Sequence, residues 1–485
     1  MSGMIIKGKT ADWEVICGLE IHCQIISKSK MFSGASTHYG SDVNENVSFI
    51  DTGMPGMLPT LNIQCVRQAI KTGMGLNAKI NKYSEFARKN YFYADLPQGY
   101  QITQFKYPLV GEGFVKIDLE DGSSKNIGIE RIHIEQDAGK SIHDISPTKT
   151  FIDLNRAGVG LMEIVTKPDF RSPEEAGAFL RKLRSIVRYL GACDGNMDEG
   201  SMRCDVNVSV RKVGETEFRT RNEMKNVNSV KFVMQAIESE AKRHVETYEN
   251  GGVIEQETRQ FDPSTGTTKV MRKKEFAHDY RYFPEPDLLP LVLTDEFVEQ
   301  IRGEMVELPD AKKDRFVKEL GLTAYDASVI CENKETADFF EKAAHGHEAK
   351  KVANWLMGDF FAMLNEKKLT LAESPVSAEN LGNLVELVST NVINGKTAKD
   401  VFALMVETGE SPEKIVEEKG LRQVTDTSAI EKIVDDILAA NPANVAAYKS
   451  GKVGLMGWFV GQVMKASQGK ANPGVVNQLL SKKLS

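Results

Sequence analysis

The chain has 485 residues, of which 41% are hydrophobic and 27% charged, a composition typical of a soluble globular protein with about two to four domains. Its net charge of −7 excludes a protein that binds nucleic acid over its whole surface, although one region can still be basic. The six cysteines include no Cys-x-x-Cys pair, which is typical of a reducing compartment. Charged residues at 7, 9 and 12 interrupt any apolar core of a signal peptide, and no apolar run approaches the ~20 residues of a membrane span. These features predict a cytoplasmic protein with no membrane contact.

The first clear element is a predicted β-strand at residues 17–23. Side chains alternate between the two faces of a strand, so Glu20 and His22 share one face while the apolar side chains can anchor the other in a core. An acid and an imidazole two residues apart on a rigid strand can both bind one cation. By itself the pattern is more typical of a partly exposed polar face, so a metal site needs further ligands from elsewhere.

Up to about residue 293, short β runs separated by Gly, Pro, Asn and Asp predict an α+β domain with an antiparallel sheet, which we place at 1–293. The clearest runs are 114–119, 125–135 and 203–211. A helix is predicted to begin at Pro173, with Ser172 as its N-cap and Glu175 completing a capping box. A second helix is predicted at about 230–248.

Beyond this domain the periodicity becomes helical, which predicts a helical domain at 294–408 and a small helical tail domain at 409–485. The last 45 residues contain no acid and six lysines: Lys449, Lys452, Lys465, Lys470, Lys482 and Lys483. This local charge favours contact with a polyanion, most simply an RNA backbone. A solvated lysine-rich tail is the alternative, although residues 454–465 are unusually apolar for one.

Two later strands supply candidate metal ligands. Residues 132–137 repeat the polar alternation and include Glu135, and Glu163 lies in an apolar strand where an unpaired carboxylate would be costly. The candidate ligands are Glu20, His22, Glu135 and Glu163. Most of their ligand atoms are oxygens, and such a set suits Mg²⁺ or Mn²⁺ better than zinc. Independent salt bridges are the alternative for these residues.

Several basic residues lie in polar or aromatic stretches, and cations beside metal-binding acids are what phosphoryl transfer requires. The candidates are Lys89, Lys140, Arg156, Arg203 and Lys225. For any one of them an ordinary ion pair is the alternative. A conventional P-loop is excluded around Lys140, because Ile134 stands where its first glycine is required.

Longer motifs are spread over essentially the whole chain. They are GLEIH (18–22), GMPGMLP (53–59), RKNYFY (88–93), YQITQF (100–105), DAGK (137–140), DLNR (153–156), DYRYFPEPD (279–287), GQVMK (461–465) and ANP (471–473). Together they resemble the GatB family, which provides the B subunit of the glutamyl/aspartyl-tRNA amidotransferase. The resemblance implies a cradle-like catalytic domain, a helical domain and a YqeY-like helical tail that contacts tRNA.

The resemblance also implies an activity and partners. Family members work with an amidase, the A subunit, and with a small C subunit. They use ATP and Mg²⁺ to phosphorylate the side-chain carboxylate of misacylated Glu-tRNA(Gln) or Asp-tRNA(Asn). Ammonia from the amidase then displaces phosphate to form the amide. The family's magnesium site matches His22, Glu135 and Glu163, with Glu20 adjacent.

Two departures from the family pattern affect metals. Many relatives carry a four-cysteine zinc knuckle, and its positions here are Ser33, Ala35, Ser48 and Asp51, so we predict no zinc. The second is Gln136, which replaces an acid common in relatives. Alternation turns it away from Glu135, so the magnesium site should survive.

Two other classes of function fit parts of the sequence. A non-catalytic tRNA-binding scaffold would use the same acids and bases as structural ion pairs, and a stand-alone metallohydrolase would act without tRNA or ATP. Substitution of Glu135 and Glu163 separates the scaffold from the enzyme, and activity of the isolated chain on a small substrate would favour the hydrolase.

Overall fold

The computed structural model describes residues 3–273, 280–423, 427–467 and 470–484. The chain folds into two compact units, Met1–Pro309 and Asp310–Ser485. The predicted boundaries at 293 and 408 stay predictions, and Asp279, the first residue of the DYRYFPEPD motif, lies outside the described residues. In the described part of the chain, no helix is both long and apolar enough to cross a membrane.

The first unit carries the strands, numbered here in chain order. Strands β1 to β8 are Ile5–Lys7, Asp12–Gln24, Tyr83–Ser84, Ala87–Asn90, Tyr100–Thr103, Gly113–Asp118, Ser124–Gln136 and Lys140–Ile142. Strands β9 to β16 are Phe151–Asp153, Gly160–Thr166, Met202–Lys212, Asn222–Val227, Glu257–Asp262, Thr267–Lys273, Phe283–Pro284 and Leu291–Val292. Helices α1 to α4 of the same unit are Ile63–Gly75, Pro173–Tyr189, Val230–Glu249 and Asp295–Gly303.

A large sheet organises the first unit. Its described strands run in the order β14-β13-β12-β11-β2-β10-β7-β6, with β1 added beside β2. The pairs are antiparallel, as predicted, except for β12 and β13, which are parallel. A parallel pair needs a long crossover between its strands, and α3 supplies it.

The apolar face of the sheet forms the core, and α3 packs on it against β11. Leu19, Ile21 and Cys23 are buried there, so the predicted alternation along β2 is confirmed. Helix α2 begins where its cap predicted, because the Ser172 hydroxyl accepts a hydrogen bond from the Glu175 N–H at 3.2 Å. The predicted capping box is wrong in one detail: the Glu175 carboxylate accepts from the N–H of Arg171, one residue before the cap.

The polar face of the large sheet is partly covered by a small sheet with the strand order β15-β4-β5. Strand β5 lies against β7, where Gln101 Nε2 donates to the Gln136 carbonyl at 2.8 Å and Thr103 Oγ1 donates to Glu135 Oε2 at 2.8 Å. These two bonds hold the small sheet directly over the candidate site.

The second unit is helical in its described residues. Helices α5 to α10 are Pro309–Leu320, Ala324–Ile330, Lys334–Ala344, Ala349–Trp355, Phe361–Lys367 and Ala378–Ser389. Helices α11 to α16 are Gly395–Thr408, Pro412–Glu418, Thr427–Ala440, Pro442–Lys449, Leu455–Ala466 and Pro473–Leu484. Helices α8 and α9 are joined by a π-helical turn, Leu356–Phe360. Helices α13, α15 and α16 share an apolar core around Phe459 and Leu480.

Candidate metal and phosphate site

Four neighbouring strands place the candidate residues side by side. In the register of the sheet, His22 lies opposite Glu163 on one side and Arg203 on the other, and Glu163 in turn lies opposite His133. Residues directly opposite on adjacent strands point to the same face, so these side chains form one row across β7, β10, β2 and β11.

Two residues of this row, His22 and Glu163, form a possible metal-binding group with Glu135, which lies beside the row. His22 Nε2 is 3.4 Å from Glu163 Oε2 and 3.8 Å from Glu135 Oε1. One ligand atom from each residue lies within 4.8 Å of the others. Two carboxylates and one imidazole are a ligand set that would suit a hard divalent cation such as Mg²⁺ or Mn²⁺.

Glu20 lies on the same face but outside this group among the described residues. Its Oε1 accepts a hydrogen bond from Asn207 Nδ2 at 3.0 Å. Burial raises the pKa of Glu20, and the nearby carboxylates of Glu163, Glu223 and Asp205 raise it further. The structure therefore brings three of the four predicted ligands together, and a ligand role for Glu20 stays a prediction.

His133 is a member of the site that the predicted ligand set omitted. Its Nε2 is 3.0 Å from Glu163 Oε2 and 3.5 Å from Glu135 Oε2. Burial alone lowers the pKa of His133, but the two carboxylates outweigh burial and raise the pKa to about 9. The imidazolium therefore offsets the repulsion between Glu135 and Glu163. The alternation at 132–137 already placed it on the face of Glu135, which was the available signal.

Lys89 brings a cation to the same carboxylates. It is carried by β4 of the small sheet, and its Nζ is 5.0 Å from the ring centre of Tyr280 and 5.9 Å from that of Tyr91. Burial alone lowers the pKa of Lys89, but the negative charge of Glu135 and of other neighbours, including Glu163, raises it above its usual value. The ammonium stays charged beside the candidate metal group.

Arg203 and Arg156 share one buried carboxylate. Asp137 Oδ2 is 2.9 Å from Arg203 Nη2 and 3.6 Å from Arg156 Nε, and Gln24 Nε2 also donates to it at 3.3 Å. Arg156 Nε further donates to the Ala138 carbonyl at 2.9 Å. Asp137 therefore holds two of the predicted phosphate ligands, Arg156 and Arg203, next to each other.

The other two predicted phosphate ligands, Lys225 and Lys140, differ in their surroundings. Lys225, on β12, contacts Asp205 and lies 3.1 Å from Glu223, and its pKa is raised because these acids outweigh burial. Lys140, on β8, is exposed, and no described contact joins it to the metal group. Their roles as phosphate ligands stay predictions, as do those of Lys89, Arg156 and Arg203.

The tail lysines also fall into two kinds. Lys449, Lys452 and Lys465 are exposed and Lys470 is half-buried, and within the described residues none of them makes an ion pair. Lys483 instead lies 2.8 Å from a Glu431 oxygen and 2.7 Å from an Asp435 oxygen. The positive charge counted at the C-terminus is therefore partly neutralised by acids that precede residue 441.

The positions that match the zinc knuckle of relatives are filled by a buried hydrogen-bonded group. Lys30 Nζ lies 3.0 Å from Asp51 Oδ2, Ser33 Oγ donates to Asp51 Oδ1 at 3.1 Å, and the Ser48 N–H donates to Asp51 Oδ2 at 2.8 Å. An ion pair ties the loop together here, and the expectation that the protein takes no zinc stays a prediction.

Comparison with known proteins places this site in a family. The model of the GatB/GatE catalytic domain matches residues 15–299, and that of the GatB domain matches residues 338–484. The B subunit of the aspartyl/glutamyl-tRNA(Asn/Gln) amidotransferase of Rhodospirillum rubrum is 63% identical over 480 residues, 99% of each chain. The protein of the same name from Paramagnetospirillum magneticum is 62% identical with the same coverage. The chain belongs to the GatB family.

Proposed function

We propose that the chain is the B subunit of a tRNA-dependent amidotransferase, an ATP-dependent ligase that forms an amide with nitrogen from glutamine. Its substrates are Glu-tRNA(Gln), Asp-tRNA(Asn) or both, and it transfers phosphate from ATP to the side-chain carboxylate before ammonia replaces that phosphate. The observation that carries the proposal is the metal group of His22, Glu135 and Glu163 with Lys89 and Arg203 beside it, in a chain that matches the family along its length.

The first step brings two anions together. The acceptor carboxylate is ionised at neutral pH, so it attacks the terminal phosphate of ATP without a general base, the bond from that phosphorus to the bridging oxygen breaks, and ADP leaves with the electron pair. His22, Glu135 and Glu163 would hold Mg²⁺, which when bound neutralises charge on the phosphates. Lys89 supplies a fixed positive charge from the small sheet, and Arg203 and Arg156 supply another from the Asp137 side. Electrostatic preorganisation of this kind is the main source of rate in phosphoryl transfer.

The second step requires that water be kept from the acyl phosphate. Ammonia attacks the acyl carbon, the bond to the phosphate oxygen breaks, and inorganic phosphate leaves with the electron pair. The small sheet covers the site through the bonds of Thr103 and Gln101, and the rings of Tyr91 and Tyr280 line the approach to Lys89. These contacts support a site in which ammonia competes with little water.

The proposal includes partners, a compartment and a tRNA contact. An amidase, the A subunit, releases ammonia from glutamine, a small C subunit completes the complex, and the complex works in the cytoplasm. Lys449, Lys452, Lys465 and Lys470 contact the tRNA backbone, which is supported by their lack of acidic partners among the described residues.

The test uses the purified complex with Glu-tRNA(Gln), ATP labelled at its terminal phosphate, and glutamine. We expect labelled inorganic phosphate and Gln-tRNA(Gln) in equal amounts, and loss of both in a Glu135→Ala complex that still binds tRNA. Unchanged amidation in Glu135→Ala would favour the scaffold. Turnover of a small substrate by the isolated chain without ATP and tRNA would favour the hydrolase.

A further inference from the structure

One hydrogen bond from the small sheet ends on a candidate metal ligand rather than on the backbone. Thr103, the last residue of β5, is 1% exposed, and its Oγ1 donates to Glu135 Oε2 at 2.8 Å. A carboxylate that binds a cation is ionised and has no proton to donate, so the hydroxyl is the donor of this bond. The single proton of the Thr103 hydroxyl therefore points at one oxygen of the metal group.

The bond from Thr103 distinguishes the two oxygens of Glu135. Oε2 has the hydroxyl at 2.8 Å and His133 Nε2 at 3.5 Å, whereas Oε1 lies 3.8 Å from His22 Nε2. Oε1 is therefore the oxygen beside another member of the metal group, and Oε2 is the oxygen that already accepts a hydrogen bond. This difference assigns the two oxygens different roles when a cation is bound.

The covalent structure of a glutamate does not fix the orientation of its carboxylate. The last torsion of the side chain has a broad energy minimum, so the carboxylate plane turns freely unless another group holds one of its oxygens. A hydroxyl that holds one oxygen leaves the other for the cation. Outer hydrogen-bond partners of this kind orient metal ligands in many metalloproteins, and their loss typically lowers metal affinity about 10–100-fold.

The small sheet has other bonds that hold it against β7. Gln101 Nε2 donates to the Gln136 carbonyl at 2.8 Å, and Gln104 Oε1 accepts from the Ile134 N–H at 3.2 Å. Both bonds end on backbone groups, so they hold the two chain segments together independently of any side chain of β7. Removal of the Thr103 hydroxyl should therefore change the orientation of one carboxylate while the small sheet stays in place.

The geometry points to a role for the small sheet beyond covering the site. We propose that Thr103 is a positioning residue for the metal centre, whose hydroxyl holds Glu135 Oε2 so that Oε1 binds the divalent cation. The inference rests on the function proposed above. Thr103 acts through Glu135 and not on the substrates, so its loss should weaken the metal site and should be compensated by more metal. The same sheet carries Lys89, which lies opposite Gln101 in the register of β4 and β5.

The experiment compares Thr103→Val, which keeps the shape of the side chain and removes the donor, with Thr103→Ser, which keeps the donor. The matched control is Thr268→Val, because Thr268 Oγ1 also donates to a buried carboxylate, that of Glu240, at 2.6 Å. In the described part of the chain, Glu240 shares no hydrogen bond or ion pair with the metal group. Mn²⁺ is titrated into each purified complex without nucleotide, and electron paramagnetic resonance measures the free ion. The Mg²⁺ dependence of amidation is measured in parallel.

We expect Thr103→Val to bind Mn²⁺ about 10–100-fold more weakly than the wild type, and Thr103→Ser to recover most of the affinity. Amidation by Thr103→Val should fall at low Mg²⁺ and return toward the wild-type rate at saturating Mg²⁺, because excess cation compensates for a poorly oriented ligand. Thr268→Val should keep the wild-type affinity for Mn²⁺ and the wild-type dependence on Mg²⁺.

The outcomes separate this inference from the proposed function. Equal Mn²⁺ affinity in the wild type and Thr103→Val would overturn the inference, and so would an equal loss in Thr268→Val, which would be a general effect of removing a hydroxyl. A wild-type complex that makes no amide from Glu-tRNA(Gln) at saturating Mg²⁺ would overturn the proposed function instead. If Thr103→Val fails to fold, a crystal structure of the wild-type complex with Mn²⁺ decides: the ion should contact Glu135 Oε1 alone, and contact with Oε2 contradicts the inference.

Discussion

Two groups of buried charges in the first unit look alike in composition and differ in what they can do. One is the metal group of His22, Glu135 and Glu163. The other, which we call the α3 cluster, surrounds Glu240, whose carboxylate is fully buried and receives hydrogen bonds from Arg243 at 2.6 Å, from His244 at 3.1 Å and from Thr268 at 2.6 Å.

The two groups differ in whether both oxygens of each carboxylate already accept hydrogen bonds. In the α3 cluster Arg259 adds a further cation 3.5 Å from Glu240, so its carboxylate has donors on both oxygens and no side exposed to a ligand. In the metal group two carboxylates converge on the imidazole of His22 and remain partly open to solvent at Glu163. Burial and a shifted pKa therefore do not identify a functional acid; convergent acceptors that are accessible to a ligand do.

The largest expected effect is on the chemistry of the metal group. Glu163→Gln keeps the shape of the side chain but removes one metal-binding charge, so we expect ATP turnover and amidation to fall by about 10²–10³-fold. Single-turnover release of phosphate in the purified complex measures this. Some loss of thermal stability is expected as well, because the amide no longer pairs with the charge of His133, so turnover is compared per folded molecule. Near-normal turnover would show that Glu163 has only a structural role.

For the α3 cluster we expect a large loss of stability and little loss of activity. Glu240→Gln leaves Arg243 and Arg259 around a neutral amide, and breaking a buried ionic group of this kind costs about 3–5 kcal/mol of unfolding free energy. Urea unfolding measures the loss. The folded fraction should retain its amidation rate, because no hydrogen bond or ion pair among the described residues joins Glu240 to the metal group. A fall in rate without a loss of stability would contradict the comparison.

The same variant has a consequence for acid stability. Burial alone would raise the pKa of Glu240, but His244 and Arg243 hold it well below its usual value. The stabilisation by the carboxylate is therefore present above the unfolded-state pKa of about 4.3 and is lost as the pH falls below it. We expect the unfolding free energy of Glu240→Gln to fall less steeply than that of the wild type below about pH 4. Parallel curves would show that another group dominates.

A smaller effect is expected from the carboxylate that orients the two arginines. Asp137→Asn weakens its hold on Arg203 and Arg156, and charge-assisted bonds of this kind contribute about 1.5–3 kcal/mol. We expect the KM for ATP to rise about tenfold with a smaller change in kcat, and Asp137→Glu to restore part of it. A fall in kcat alone would place Asp137 among the groups that act in the transition state.

The smallest effect per residue is expected in the tail, where the same contrast between paired and unpaired charges applies. Replacing Lys452, Lys465 and Lys470 by Gln should weaken tRNA binding and reduce the slope of log K against log salt by about 2–3. Lys483→Gln is the control, since its charge is already paired with Glu431 and Asp435. Equal slopes for the triple variant and the wild type would remove the tail from the tRNA contact.

The sequence by itself determined the local features of this protein. Alternation along β2 separated Glu20 and His22 from the buried Leu19 and Ile21, and the Ser172–Pro173 pair marked the start of α2. These features depend on the period of a strand or on the chemistry of one turn, both of which are written in neighbouring residues. The family motifs extended the prediction to the class of reaction.

Only the tertiary structure decided which charges meet. The register of four strands brought His133 to Glu163 and left Glu20 with Asn207, and chain segments far apart in sequence brought Lys483 to Glu431. The parallel β12–β13 pair likewise depends on how α3 crosses the sheet. Periodicity states which face a side chain occupies, but the distance between two side chains depends on long-range register and packing, which no local pattern contains.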